Sequence, residues 1–230
     1  MQETMTQKLA VTVHFDLICP WCLIGKRHLR TAVDLFGQRH PGVAIDIDWQ
    51  SHMLLPETPE HGIPYQEFYE RRLGGPAAVA ARRAQVREAA RAAGIELAFE
   101  RIEIMPNTLS AHHLIDCASE CGSAEQLDEL IDRLFTAYFL DGRNIGEKTV
   151  LTTIAASAGY PTSTITACLE SPLHRQRFLE NLAAANSNQV SGVPFFVFND
   201  RLAVSGAHPP HSLLAAMEQA LQPAPARQPS

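Results

Sequence analysis

Residues 15–29 read FDLICPWCLIGKRHL, and they join two kinds of structure without a spacer. The run that enters this stretch, LAVTVHFDLI (9–18), is apolar, rich in β-branched residues and partly alternating, which predicts a buried strand. Pro20 suits the first position of a helix, where its missing N–H costs nothing. Leu23, Ile24, Arg27, Leu29 and Val33 then carry that helix to Phe36, with Gly37 as its stop. HPGVAIDIDWQ (40–50) alternates Val43, Ile45, Ile47 and Trp49 against Ala44, Asp46 and Asp48, a second strand with one apolar face. The chain therefore opens β-α-β, a unit whose strands pair in parallel through a right-handed crossover.

The middle reads differently. LLPETPEHGIPYQEF (54–68) is Pro-rich and predicts a loop or boundary. PAAVAARRAQVREAARAAG (76–94) has Pro at its start, Gly at its end and Ala and Arg between, a helix by propensity and punctuation. TLSAHHLIDCASECG (108–122) predicts another. In SAEQLDELIDRLFTAYFLDG (123–142), Ser123 and Gln126 form a capping-box pattern. Leu127, Leu130, Ile131, Leu134, Phe135, Tyr138 and Phe139 there make the stripe of a core-facing helix. Residues 148–159 and 172–186 predict two more helices. Strands return in VPFFVFN (193–199) and RLAVSG (201–206) around the turn pair Asn199-Asp200, and SLLAAMEQAL (212–221) is an amphipathic helix. The expected organisation is α/β, β-α-β and β-β-α halves interrupted by a helical insertion: 1–56, an insertion over 57–170, then 171–222, with a disordered tail at 223–230.

Apolar residues at 46% and charged residues at 19% suit an ordinary globular domain. A net charge of -6 argues against nucleic acid, because no basic excess exists to neutralise phosphates. The N-terminal residues carry no signal-peptide pattern and no apolar run approaches the roughly 20 residues of a membrane span, so a cytoplasmic protein without a membrane partner is expected. Five cysteines are too few, and odd in number, for a secreted disulfide framework.

A strand that delivers Cys19 to a helix N-terminus is a chemical arrangement. The first-turn N–H groups are unpaired there and the helix dipole is positive, which favours a thiolate, the species that attacks disulfides. Cys22, one turn on, can close a small ring with it. Position thus predicts Cys19 as an exposed nucleophile and Cys22 as the more buried resolving thiol, with Pro20 and Trp21 beside the substrate and tuning the potential. A zinc ribbon would need a second ligand pair at matching spacing. In SGVPFF (191–196), Pro194 opens a strand expected beside the one carrying the cysteines. A cis Val193–Pro194 bond there would bring the Val193 backbone to Cys19, where it could pair with an extended substrate.

DLICPWC, a helical insertion, GVPFFVF and VSGA together resemble the DsbA-like branch of thioredoxin-fold oxidoreductases, with the FrnE-like subfamily as the nearest likeness. NTLSAHHL and LFTAYFLDGRNIG are similar to that subfamily's insert. The resemblance implies a thioredoxin fold, Cys19 and Cys22 as the redox pair, and Pro194 as the cis-proline. It also implies exchange with protein or small-molecule disulfides, with no bound cofactor and with glutathione or another thiol as redox partner. Many thioredoxin-fold members carry a buried acid six residues before the first cysteine, where this chain has Val13. Asp16 lies nearer, either as a proton relay or as a strand-end carboxylate facing solvent. Relatives in the wider family bind glutathione, among them hydroxychromene-carboxylate isomerases and kappa-class glutathione transferases. They typically carry a serine at the position of Cys19, which leaves a glutathione-dependent isomerase or transferase as the alternative reading. By family analogy alone, Asn107 would help hold a peptide or glutathione.

His113, Cys117 and Cys121 fall at i, i+4 and i+8, one stripe of a helix. They read either as core-facing residues or as a secondary thiol pair, Cys117 and Cys121, able to exchange with Cys19–Cys22 or to bind a soft metal. Cys168 reads as packing, and no metal site is expected. Arg82, Arg83, Arg87 and Arg91 read as a solvated face that could steer acidic partners.

Overall fold

β1 (Gln7–Phe15) is the central strand of a four-stranded sheet, and both halves of the chain build on it. The computed structural model describes residues 7–187 and 190–222, so the expected tail at 223–230 lies outside the described residues. α1 (Pro20–Arg39) crosses over to β2 (Val43–Ser51), which pairs in parallel with β1. After the insertion, β5 (Phe195–Phe198) pairs antiparallel with β1, and β6 (Leu202–Ser205) antiparallel with β5, giving the order β2-β1-β5-β6. α9 (Pro210–Leu221) packs beside α1 on one sheet face. Leu9, Val11, Val13, Leu29, Phe36, Phe196, Phe198 and Met217 are buried between them. Each fully buried side chain of this kind contributes roughly 1.5–3 kcal/mol. This is the expected thioredoxin fold with a helical interruption.

The β5–β6 turn depends on Asn199 and Asp200, at φ 48° and 52°, the left-handed region that Asn and Asp tolerate. Asn199 is also an anchor: its side chain accepts from Ala10 N at 2.9 Å and donates to the Ala220 carbonyl at 3.0 Å.

Between β2 and β5 run α2 (Tyr65–Leu73), α3 (Pro76–Ala92), α4 (Leu109–Cys121), α5 (Ala124–Phe139), α6 (Lys148–Ser157) and α7 (Thr162–Glu170) of the insertion, then α8 (Pro172–Ser187), which leads back to the sheet. A two-residue ladder joins β3 (Ile63–Pro64) to β4 (Ile104–Met105). α5 follows its sequence pattern: Ser123 Oγ accepts from Gln126 N at 3.2 Å, and Leu130, Ile131, Leu134, Phe135, Tyr138 and Phe139 are buried. α8 lies against α4, α7 and β2, so it touches both parts of the molecule.

Three local expectations differ from the structure. α1 passes through Gly37 to Arg39, and His40 N caps the Phe36 carbonyl at 2.8 Å; tertiary packing outweighs the ~1 kcal/mol that a helical glycine costs. α2 begins inside the Pro-rich stretch, directly after Pro64, and ends at Gly74 with φ 91°. Cys168 lies on α7, which the sequence reading left unassigned.

A buried charge binds α1 to the insertion. Lys26, only 4% exposed, places Nζ 2.7 Å from Asp128 and 2.9 Å from Asp132 on α5. Arg30 closes the rim at 3.3 Å from each. Removing one side of such a pair leaves an uncompensated buried charge. The double substitution Asp128→Ala/Asp132→Ala is therefore expected to cost about 3–5 kcal/mol in equilibrium urea unfolding. Breaking the exposed Lys8–Asp46 pair by Asp46→Ala should cost under about 1 kcal/mol. Equal effects would mean that the Lys26 pair does not hold the two parts together.

Candidate active site

The strand-to-helix junction positions the first cysteine. Cys19 N donates to the Asp16 carbonyl at 3.1 Å, and the Cys19 carbonyl accepts from Cys22 N at 3.0 Å. Cys19 keeps extended backbone (φ -91°, ψ 109°) and is the residue before the first turn of α1, with Pro20 following. Its sulfur therefore lies at the positive end of a 20-residue helix. β5 lies beside β1, with His14 opposite Phe195. The Val193–Pro194 bond that leads into β5 is cis. Cys19 Sγ lies 3.5 Å from the Val193 carbonyl oxygen, within donating distance for a thiol.

Cys19 is not the exposed residue that its position suggested: it is 5% exposed and Cys22 2%. Both belong to the apolar cluster of the insertion rather than to that of the sheet. The insertion folds over them and leaves a cavity of about 300 Å³ lined by Cys19, Pro20 and Trp21 on one side. Tyr65, Phe68, Tyr69, Arg72, Arg82 and Arg83 line the other. Burial pushes the Tyr69 hydroxyl up to about 12, the Cys19 charge adds to that, and Arg72 and Arg83 oppose it. Burial likewise holds Tyr65 far above the usual tyrosine range. Arg83 stacks over the Tyr65 ring at 5.3 Å, and its Nη2 donates to Gln66 Oε1 at 2.8 Å. Arg82 and Arg83 thus form cavity wall, while Arg87 and Arg91 pair outside with Glu100 and Glu96. A wider hollow of about 1300 Å³ between the sheet and α8 is lined by Thr12, His14, Asp48, Phe178 and Phe195 among others and by none of the cysteines.

Cys22 is held as a thiol. Burial raises its pKa well above the ordinary cysteine value; a hydrogen bond to the Cys19 side chain and the charges of Cys19 and Asp16 push the same way. Asp16 does not face solvent. It is fully buried; Oδ2 accepts from Leu54 N at 2.7 Å, and Oδ1 lies 3.1 Å from His112 Nε2. His112 is also fully buried, and its Nδ1 has no hydrogen-bond partner among the described residues. Burial lowers the His52 pKa and His112 adds to that, while Asp16 opposes it. Val13 is buried in the sheet core, so the interior acid enters three residues before Cys19 rather than six. Nothing in the local pattern singled out His112, because its partner stands 96 residues away.

The other predicted residues divide. Asn107 does not line the cavity: its Nδ2 donates to the Thr58 carbonyl at 2.5 Å and its Oδ1 accepts from Leu109 N at 2.9 Å, so its amide is spent on a loop and on the start of α4. Cys117 and Cys121 are not joined to each other. Cys117 forms a disulfide with Cys168, Cα atoms 6.0 Å apart, because α7 packs across α4 and brings Cys168 to that face. Cys121 is a free, exposed thiol donating to the Cys117 carbonyl at 3.4 Å.

The sequence profile of the DSBA-like thioredoxin domain matches residues 10–218. The chain is 22% identical over 191 residues to the uncharacterised protein YwbO of Bacillus subtilis (strain 168), covering 83% of this chain and 86% of that one. Among solved structures it is similar to the probable DsbA oxidoreductase SCO1869 from Streptomyces coelicolor, with TM-score 0.81, 25% identity, and 96% and 93% of the two chains covered. A 2-hydroxychromene-2-carboxylate isomerase shares the fold at TM-score 0.62 and 16% identity, with 91% and 95% covered.

Gly25 is a constraint the sequence did not announce. A Cβ there would lie 2.9 Å from Pro194 Cγ and 3.2 Å from Phe196 Cζ, so glycine lets α1 approach the proline loop. Gly25→Ala is expected to cost about 1–3 kcal/mol by overpacking and to alter the rate at which iodoacetamide labels Cys19. Wild-type melting temperature and labelling rate would show that the proline loop yields freely.

Proposed function

The chain belongs to the family of DSBA-like thioredoxin domains, and from the geometry at Cys19 we propose that it is a thiol–disulfide oxidoreductase working through the CPWC pair. The observation that carries this reading is the placement of Cys19 at the start of α1, its sulfur 3.5 Å from the Val193 carbonyl, with a buried thiol one turn behind it. In the reducing direction, the Cys19 thiolate attacks one sulfur of a substrate disulfide. The other substrate sulfur leaves as a thiolate and takes up a proton. Cys22 then loses its proton and attacks Cys19 Sγ, which closes the Cys19–Cys22 disulfide and releases the second substrate thiol, two electrons having passed to the substrate. Oxidation of substrates is the same sequence reversed. The reading includes no bound cofactor.

Cys22 needs a proton acceptor, and the buried Asp16–His112 pair is the candidate. Asp16 is close enough for its charge to act on Cys22. Arg72, Arg82 and Arg83 on the cavity wall favour substrates bearing carboxylates, a class that includes acidic disulfide peptides and glutathione. The Val193 backbone suits an extended substrate segment. Among the described residues no helix is long and apolar enough to cross a membrane, and the reading places the work in the cytoplasm, where thiols are kept reduced.

The first test is equilibration of Cys19–Cys22 with glutathione redox buffers, followed by thiol trapping. A two-electron transition is expected; a midpoint near about -120 mV would mark an oxidant and one near about -270 mV a reductant. Cys19→Ser should abolish disulfide turnover and Cys22→Ser should accumulate mixed disulfides. Full turnover in Cys19→Ser would sink the mechanism and favour a glutathione-dependent isomerase. Because burial keeps Cys22 protonated, closure of the mixed disulfide should speed up as pH rises toward its elevated pKa. Asp16→Asn should prolong the mixed disulfide at least about tenfold if the carboxylate accepts that proton. A shorter lifetime would mean that Asp16 acts on Cys22 only by charge repulsion.

A further inference from the structure

A second group of sulfur and imidazole side chains converges where α8 meets the insertion. His113 and Cys117 stand one turn apart on α4, Cys168 comes from α7, and His174 from the first turn of α8. One donor atom from each lies within 4.8 Å of all the others. His113 Nε2 is 3.4 Å from His174 Nδ1, which is itself 3.9 Å from Cys117 Sγ. Tetrahedral zinc, with Zn–N near 2.0–2.1 Å and Zn–S near 2.3 Å, sets its ligand atoms about 3.3–3.8 Å apart.

The surroundings orient the imidazoles. His174 Nε2 lies 2.8 Å from Glu120 Oε2. Arg177 Nη2 lies 2.7 Å from the same nitrogen and also binds Glu120. Arg177 can donate to Nε2 only in the Nδ1–H tautomer, whose Nδ1 also lies 3.6 Å from Asp116 Oδ2; the Nε2–H tautomer, donating to Glu120, is the one that turns the Nδ1 lone pair to the cluster, the carboxylate–histidine arrangement common behind metal ligands. The His113 ring is stacked on Phe178 at 5.2 Å. His113 and Cys117 are buried, and Cys168 and His174 are half-buried, which leaves an entry side. Cys117 and Cys168 are joined by a disulfide here. A disulfide needs no imidazoles turned toward it; a pair of thiolates binding a cation does.

We propose that in the reduced protein His113, Cys117, Cys168 and His174 form a Cys2His2 site for one zinc ion, tying α4, α7 and α8 together. The disulfide must first take two electrons and two protons from a dithiol; zinc then displaces the two thiol protons. Disulfide and metal are therefore mutually exclusive. The spacing of His113, Cys117 and Cys121 along α4 left core packing, a thiol pair or a soft-metal site open; the fold brings Cys168 and His174 to His113 and Cys117 instead of Cys121.

The test uses the full chain carrying Cys19→Ser and Cys22→Ser, so that the CPWC pair supplies no thiolate. Reduced with a phosphine and stripped by a chelator, it is titrated with cobalt(II) and then zinc(II). About one cobalt per chain is expected, with the visible absorption of a tetrahedral centre and thiolate charge-transfer bands, displaced by zinc. The same chain with Cys117–Cys168 oxidised should bind none. Cys168→Ser and His174→Gln should each weaken binding at least about 100-fold, and Glu120→Gln about 10-fold. Failure of the reduced chain to bind a stoichiometric ion overturns the proposal, as does binding that survives oxidation or both ligand substitutions. The oxidised–reduced comparison uses one sequence, so it decides even if a ligand variant fails to fold.

Discussion

The hydrogen bond from Cys19 N to the Asp16 carbonyl turns a central strand into a helix within four residues, and the rest of the site is arranged around that turn. It fixes Cys19 at the helix start, where unpaired N–H groups favour negative charge. The same turn drives the Asp16 side chain inward to Leu54 N and His112. One short junction thus places the Cys19 sulfur at the cavity and a carboxylate beneath it. The strand order does the rest, because β5 next to β1 brings Val193 to the sulfur.

The insertion changes what this junction can do. A sheet with two helices would leave Cys19 open to solvent. Here α2 and α3 close over it and convert the helix start into a cavity of about 300 Å³. The wall they supply is aromatic and cationic in a chain of net charge -6, so the charge at the site runs opposite to that of the whole. An anionic substrate gains from that local field only at short range, since the Debye length at physiological salt is about 8 Å. Burial at Cys22 works with the cavity: it holds one sulfur protonated beside the other, so the two stand in different surroundings.

What the sequence made legible was local. Strand alternation, Pro20 after Cys19, the stripe of α5 and the Asn199-Asp200 turn each announce themselves within a few residues. The combination of CPWC with Gly192-Val193-Pro194 was distinctive enough to imply the fold. What it hid was nonlocal. His112 is defined by Asp16 at 96 residues' distance, and the cavity wall by helices whose arginines look solvated in one dimension. Helical spacing offered Cys117 only a place in the core or Cys121 as a partner, but the partner that reaches Cys117 crosses from another helix 51 residues on. Asn107 was assigned by analogy, and its amide turned out to serve the backbone around it.

α1 makes the two parts of the molecule depend on each other. Cys19, Cys22, Gly25 and Leu29 follow one another at three or four residues, with Lys26 next to Gly25, so one stretch of helix meets the cavity, the proline loop, the insertion and the sheet. Gly25 sets how near α1 comes to Pro194, while Lys26, held between Asp128 and Asp132, sets where α1 stands against α5. The position of Cys19 against Val193 is thus fixed from the sheet side, and against the cavity wall from the insertion side. A shift of the insertion would move Tyr69 and Arg83 relative to the sulfur without moving Val193. The strand-to-helix junction and the packing of α5 on α1 thus fix different sides of the Cys19 cavity, and the buried Lys26 charge ties the two together.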